Sequence, residues 1–115
     1  MAILNLSERV LLVTLPAEPQ STSDLETVMR STRSRADCDV IVDFSLAEVM
    51  SSATLCNLMI MERQLSMTDH QLILCSVPAS IRGVFLRVGL HKLFRFADDE
   101  FAALQSLERG LWTDP

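Results

Sequence analysis

Three hydroxyl side chains, those of Ser51, Ser52 and Thr54, lie close together at the start of a largely apolar segment with helical spacing. A serine in this place can act as an N-cap by accepting a hydrogen bond from an amide of the first helical turn, which stabilises a helix by about 1 kcal/mol. The same turn presents unpaired amides and the positive end of the helix dipole, which favour a phosphate group. These residues therefore predict either a simple helix cap or a phosphorylation site.

The other residue types that could do chemistry form no catalytic or cofactor motif. The sequence has no phosphate-binding glycine loop, dinucleotide fingerprint, zinc-protease helix or nucleophile elbow. Its three cysteines, Cys38, Cys56 and Cys75, are an odd number without a C-x-x-C pair, which argues against a disulfide framework and a zinc site. We therefore expect a protein that is not an enzyme, with no catalytic residue, metal or cofactor.

Two histidines and two aspartates are residue types that could act as catalytic groups. His70 lies in a polar turn, and His91 lies just past a predicted helix end. These positions favour surface residues over general bases that activate a Cys or Ser nucleophile. Asp39 and Asp43 flank a β-branched run. A carboxylate at the end of a parallel strand can be catalytic, but it more often caps the turn that follows. We expect Asp43 to cap its loop.

Composition and charge limit the classes of protein to which this chain can belong. With 115 residues, 49% of them hydrophobic, the chain can bury one core, and we expect a single domain over 1–115. No apolar run approaches the ~20 residues that cross a bilayer, and the first residues do not resemble a signal peptide. The net charge of −5 argues against nucleic acid as a direct partner. We expect a cytoplasmic protein that binds neither membranes nor nucleic acid.

Five runs of residues favour β-strands: 3–6, 10–15, 39–44, 71–77 and 93–96. The first two are close enough in sequence to form a hairpin. The run at 39–44 is continuously apolar between its acids, which is typical of a strand that is buried on both faces of a parallel sheet.

A capping box predicts the first helix. Ser23 and Glu26 are spaced so that each side chain can bond the backbone amide of the other, and a helix over 23–35 follows. Three arginines lie near its end: Arg30, Arg33 and Arg35. They suit the negative end of the helix dipole or, alternatively, a docking patch for an acidic surface.

Three further helices are predicted along the rest of the chain. The second begins within 50–52 and ends near Met67. The third has Pro78 in its first turn and Gly89 just past its end, and the fourth is capped by Asp98. The third helix carries apolar residues at helical spacing, namely Ile81, Val84, Phe85 and Val88.

The alternation of these strands and helices predicts an α/β fold with right-handed crossovers. We expect a mixed, mostly parallel sheet of about five strands with four helices. The initial hairpin would supply the antiparallel pair.

The second predicted helix has two apolar faces. On a wheel of ~100° per residue, one face comprises Leu55, Leu58, Met59 and Leu65. The other comprises Ala53, Cys56, Ile60 and Met67. Because a helix on one side of a sheet needs only one apolar stripe, the second face indicates either burial against neighbouring helices or a surface for a partner.

The segment from Asp43 to Leu55 resembles the strand, loop and helix start of the STAS domains of bacterial anti-sigma factor antagonists. That family carries Asp-hydrophobic-Ser, an apolar loop, and then Asp-Ser-Ser-Gly-Leu. Asp43, Phe44 and Ser45 match the first part, and the loop and the final leucine match as well. Weaker similarity in the later strands and helices extends the resemblance over about 8–108.

The hydroxyl positions depart from the family pattern. The aspartate of the motif falls on Ser51, its first serine on Ser52, its second on Ala53 and its glycine on Thr54. A register shifted by one would make Ser52 the second serine. In both registers the resemblance implies Ser52 as the best candidate for phosphorylation, followed by Ser51 and Thr54.

The resemblance implies an anti-anti-sigma factor that binds an anti-sigma factor, often a serine kinase, and so regulates sigma-factor-dependent transcription. A phosphate on this surface would repel an acidic partner and would cost desolvation. The residues implied in partner binding are Asp43, Ser45, Met50, Ser51, Ser52, Ala53, Thr54, Cys56 and Ile60. The alternative is a STAS-like scaffold or adaptor without a sigma-factor link, in a stressosome-like or transport assembly. Whether the chain forms a homodimer is left open.

Overall fold

The structure, a computed structural model, describes residues 2–7, 9–15 and 38–113. These residues form five strands and three helices in chain order. The strands are β1 (Ala2–Ser7), β2 (Val10–Thr14), β3 (Asp39–Asp43), β4 (Leu72–Cys75) and β5 (Arg95–Ala97). The helices are α1 (Ser52–Met67), α2 (Ala79–Arg87) and α3 (Glu100–Thr113). The helix predicted over 23–35, with its capping box and its three arginines, lies outside the described residues.

The strands form one mixed sheet in the order β1-β2-β3-β4-β5. β1 pairs with β2 in antiparallel orientation, and β2 to β5 run parallel to one another. The α/β class and the mostly parallel sheet of five strands were predicted from the alternation of strands and helices, and both predictions are confirmed.

Helices cover both faces of this sheet. Val40, Ile41 and Val42 of β3 are all fully buried, which explains why its sequence is apolar without alternation. On one face, Val40 and Val42 pack in a cluster with buried residues of α1 and α2: Leu58, Met61, Leu65, Ile81 and Phe85. On the other face, a smaller cluster comprises Val10, Leu12, Ile41, Ile73 and Cys75 of the sheet with Ala103 and Leu107 of α3.

The last strand begins later than predicted. The strand expected over 93–96 is β5, Arg95–Ala97, and Leu93 and Phe94 lie in the turn before it. The physical reason is that Phe94 belongs to the core cluster with α1 and α2, where its ring lies edge-on to that of Phe85 with centroids 5.3 Å apart. Burial of this ring, and not the β-propensity of the segment, decides where the strand starts.

Asp99, and not Asp98, caps the last helix. The Oδ1 atom of Asp99 accepts a hydrogen bond from the amide of Ala102 at 2.8 Å, which is the N-cap arrangement. The prediction for Asp98 is wrong by one residue because its carbonyl oxygen accepts a hydrogen bond from the amide of Ser76 at 3.2 Å. Asp98 thus continues the pairing of β5 with the end of β4.

The ends of α2 agree with the sequence more closely. Pro78 is the N-cap residue, directly before the helix and not within its first turn as predicted. Gly89 follows the C-cap with a φ of 75°, a conformation that glycine adopts without strain, so its predicted role is confirmed. Val88 was expected on the apolar face, but it is 54% exposed at the C-cap.

Candidate functional site

The loop that leads into α1 is held by Asp43 at the end of β3. Asp43 is buried, and its Oδ1 atom accepts a hydrogen bond from the amide of Ser45 at 2.9 Å. Its Oδ2 atom accepts a second hydrogen bond from the Ser45 hydroxyl at 3.1 Å. The side chain therefore caps the loop as predicted, because a short carboxylate can bond the backbone two residues on.

Ser51 is the N-cap of α1, in an extended conformation with φ −76° and ψ 160°. Its Oγ atom accepts a hydrogen bond from the amide of Thr54 and donates one to the Thr54 hydroxyl, both at 3.1 Å. Thr54 is only 1% exposed. Both of these hydroxyl groups are therefore engaged in forming the end of the helix.

Ser52 differs from both neighbours. It is the first residue of α1 and is exposed, as is Ala53. The first turn of α1 holds no acidic side chain, so the positive end of the helix dipole has no carboxylate of its own turn beside it. Among the three hydroxyl groups of this turn, the structure exposes that of Ser52 and buries that of Thr54.

The two sides of α1 are both apolar but only one lies against the sheet. Its buried residues are Thr54, Leu58, Met61 and Leu65. The four residues predicted as a second face are all exposed, and we call them the α1 stripe: Ala53, Cys56, Ile60 and Met67. Of the first predicted face, Leu58 and Leu65 are buried, whereas Met59 is 37% exposed; Met61, which was placed on neither face, is buried.

The loop before α1 adds two exposed apolar residues that were not among the predicted partner-binding residues. Leu46 is 62% exposed and Val49 is 67% exposed, whereas Ala47 is buried and Met50 packs against the core. Large apolar side chains in an exposed loop were the signal that could have identified them. They add exposed apolar area in the loop that leads into α1.

Glu100, at the start of α3, lies beside Asp43. A side-chain hydrogen bond with Asp43, together with burial and the negative charges of Asp43 and Asp99, raises the pKa of Glu100. Glu100 begins α3, so this contact joins that helix to the loop before α1. The contact between Asp43 and Glu100 could not be predicted from the sequence, because the two residues are far apart along the chain.

The buried thiol beside this cluster is not a nucleophile. Burial raises the pKa of Cys75 to about 12, and the negative charges of Asp43 and Glu100 act in the same direction. A thiol with such a pKa stays protonated at neutral pH and is unreactive. Cys38 is buried as well, whereas Cys56 is exposed on α1.

The histidines lie apart from the hydroxyl groups of α1. His70 follows the end of α1, with its Nδ1 atom 3.4 Å from Oδ1 of Asp39 at the start of β3, at the opposite end of the sheet from Ser52. The same Asp39 oxygen accepts a hydrogen bond from the amide of Gln71 at 2.8 Å. His91 lies in the turn after α2. Within the described ranges, no group of His, Cys, Asp and Glu could hold a metal ion, and no helix could cross a membrane.

Comparison with known proteins gives similarity in structure only. No protein-family model matches the sequence, and no curated protein matches it. A Thermotoga maritima protein assigned as an anti-sigma factor antagonist matches with a TM-score of 0.81 at 12% identity, over 93% of each chain. A serine-to-glutamate variant of RsbS from Moorella thermoacetica matches with a TM-score of 0.80 at 17% identity, over 94% of each chain. The Bacillus cell-fate determinant SpoIIAA, in its phosphorylated form, matches with a TM-score of 0.70 at 16% identity, over 91% of this chain and 97% of its own.

The chain has the STAS fold. The matches extend over nearly all of each chain, so the resemblance predicted from the segment around Asp43 is confirmed at the level of the fold. Sequence identities of 12% to 17% carry no residue roles from these proteins to this one. In this fold, the structure brings together the predicted site residues of the loop and the first turns of α1, and leaves Ser52, Cys56 and Ile60 exposed.

Proposed function

We propose that this STAS domain is an anti-sigma factor antagonist, which binds an anti-sigma factor with serine kinase activity through the first turn of α1 and the α1 stripe. The observation that carries the proposal is the exposed apolar stripe, which starts beside the exposed Ser52 on a helix whose opposite side fills the core. Proteins described as anti-sigma factor antagonists share the fold. The proposal implies that the protein acts in the cytoplasm and regulates transcription.

The α1 stripe supplies the binding energy in this proposal. Ile60 is 45% exposed and Met67 is 77% exposed, so both retain apolar area that a partner can cover. Fully burying a side chain of this kind contributes about 1.5–3 kcal/mol, so covering the exposed part of Ile60 contributes about 1 kcal/mol. Methionine adapts its shape to a partner, which suits a docking surface.

Ser52 is the regulatory residue in this proposal. A phosphate there would add about −1.5 to −2 charge at the edge of the apolar stripe. The helix dipole and the unpaired amides of the first turn would stabilise the modified protein. The partner, in contrast, would have to desolvate the phosphate in order to cover the stripe. A phosphorylated form of a protein with this fold is known in Bacillus SpoIIAA.

The first test is intact-mass analysis after incubation with ATP and the host's candidate anti-sigma kinase. We expect one phosphate on the wild type and on Ser51→Ala, and none on Ser52→Ala. Ser51→Ala is the matched control because it removes a neighbouring hydroxyl that is engaged with Thr54. A phosphate that persists in Ser52→Ala would contradict the assignment. Stable binding of the partner without any phosphate would instead support the scaffold or adaptor role.

A further inference from the structure

A groove at the far end of α1 lies outside the proposed switch. It encloses about 370 Å³ and is lined by Met59, Glu62, Arg63, Ser66, Met67 and Leu93. The first five lie on α1 between its middle and its last residue, and Leu93 lies in the turn that precedes β5. Only Met67 is shared with the α1 stripe. We call this the Leu93 groove.

The lining of the Leu93 groove is mainly apolar and open to solvent. Met59 is 37% exposed, Leu93 is 44% exposed and Met67 is 77% exposed. Exposed apolar side chains that share one concave surface are typical of a contact with another molecule. Two methionines at such a surface suit a protein partner, because their flexible side chains adapt to an opposing surface.

The charged groups of the groove restrict the partner. Burial raises the pKa of Glu62, and the positive charge of Arg95 offsets this only in part. A further cation from a partner would therefore stabilise the Glu62 carboxylate. Arg63, the next residue of α1, is exposed on the same groove and offers the matching cation.

Glu62 and Arg63 are adjacent in the groove, so two copies of the groove could pair the acid of each with the base of the other. In an interface with two-fold symmetry, a residue i of one copy contacts j of the other and the reverse contact follows automatically. Glu62 of each copy would face Arg63 of the other, and the apolar side chains would meet one another.

The position of the groove leaves room for a second copy. β5 lies at the end of the strand order, so among the described strands it pairs only with β4. Leu93, which lines the groove, lies two residues before β5, in the turn that leads into this edge strand. An open sheet edge is a surface that a second chain can approach.

We propose that the Leu93 groove is the contact surface of a two-fold symmetric homodimer of this chain. The dimer contact lies at the opposite end of α1 from Ser52, and of the α1 stripe it covers only Met67. It leaves Ser52 and Ile60 accessible to another protein.

Sedimentation velocity over a series of micromolar concentrations tests the dimer. We expect reversible dimerisation of the wild type, weakened about tenfold or more in Leu93→Asp, since a charge in the centre of an interface costs over 1 kcal/mol. Leu93 is 44% exposed, so the variant should fold, and circular dichroism checks this. Ile60→Asp is the control, because Ile60 lies on the same helix outside the groove, and its dimerisation should equal that of the wild type.

Charge reversal tests the symmetry. Glu62→Arg and Arg63→Glu should each weaken the dimer by placing like charges opposite one another, and the double variant should restore it. A dimer that is insensitive to Leu93→Asp and to both reversals would overturn the proposal. A wild type that stays monomeric at every concentration would overturn it as well. If Leu93→Asp then weakened binding of the anti-sigma partner, the groove would belong to that partner.

Discussion

The two sides of α1 are similar in composition and opposite in environment. Leu58, Met61 and Leu65 are buried against the sheet, whereas Ile60 and Met67 on the other side remain exposed. The helix would need only the first side to complete the core. The comparison teaches that apolar periodicity identifies two stripes on α1, and that only the position of the sheet shows which one stabilises the fold and which one is available to a partner.

The largest expected effect is on stability and comes from the buried side. Leu58→Ala removes a side chain that is fully buried, so it should lower the free energy of unfolding by about 2–5 kcal/mol. Ile60→Ala, the matched change on the exposed side, should stay within about 0.5 kcal/mol. Urea unfolding of both variants measures the difference. Equal losses would mean that the stripe is part of the core and not a docking surface.

A second prediction concerns partner binding, for which the exposed side of α1 should matter more than the buried side. Ile60→Asp should weaken the complex with the anti-sigma partner about tenfold or more, because a charge in an apolar interface must be desolvated. Its unfolding free energy should remain close to that of the wild type. Isothermal titration calorimetry measures the affinity, with Gln105→Asp on the exposed side of α3 as the control. Unchanged affinity of Ile60→Asp would show that the partner does not use the stripe.

The third prediction separates the two adjacent serines. Ser51→Ala removes the N-cap hydrogen bond to Thr54 and should destabilise the protein by about 1 kcal/mol. Ser52→Ala should change stability by only a few tenths of a kcal/mol, since an exposed first-turn residue without a capping role contributes little. Thermal unfolding of both variants tests this. The reverse order would place the cap, and hence the start of α1, on Ser52.

The smallest expected effect concerns the loop that leads into α1. The pKa of Glu100 is raised above 4.5 by its contact with Asp43, so the folded state holds this proton more tightly than the unfolded state. The stability that Glu100 contributes is therefore fully present below 4.5 and decreases as the pH rises through the raised pKa. Glu100→Gln removes the repulsion, so it should be more stable than the wild type at neutral pH.

Chemical unfolding at two pH values measures this effect. The advantage of Glu100→Gln should shrink as the pH falls to about 3, where the glutamate is protonated in both states. The same advantage at both pH values would indicate that repulsion between Glu100 and Asp43 is not its origin.

Much of the fold could be predicted because its signals are local. β3 is a short β-branched run between two aspartates, and α1 has a serine cap followed by apolar residues at helical spacing. The start of β5 could not be predicted, because it depends on the contact of the Phe94 ring with Phe85, which belongs to a different element, α2. The choice of Asp99 over Asp98 as the last cap likewise depends on the pairing of Asp98 with Ser76.

The candidate site was predictable only in part, because some of its features depend on contacts that form only in the folded chain. The sequence identified the hydroxyl groups and the second apolar face of α1. Which hydroxyl is exposed depends on the hydrogen bonds between Ser51 and Thr54, and on the burial of Thr54. The contact between Asp43 and Glu100 arises from folding, which brings the start of α3 to the end of β3.

The most direct test of the central claim is calorimetric titration of the anti-sigma partner into Ser52→Asp beside the wild type. An aspartate in the first turn of a helix interacts favourably with the dipole, so this variant should be at least as stable as the wild type. We predict that the wild type binds and that Ser52→Asp loses affinity by about tenfold or more while remaining folded. Equal affinities would contradict the account, because the first turn of α1 would then not lie within the docking surface.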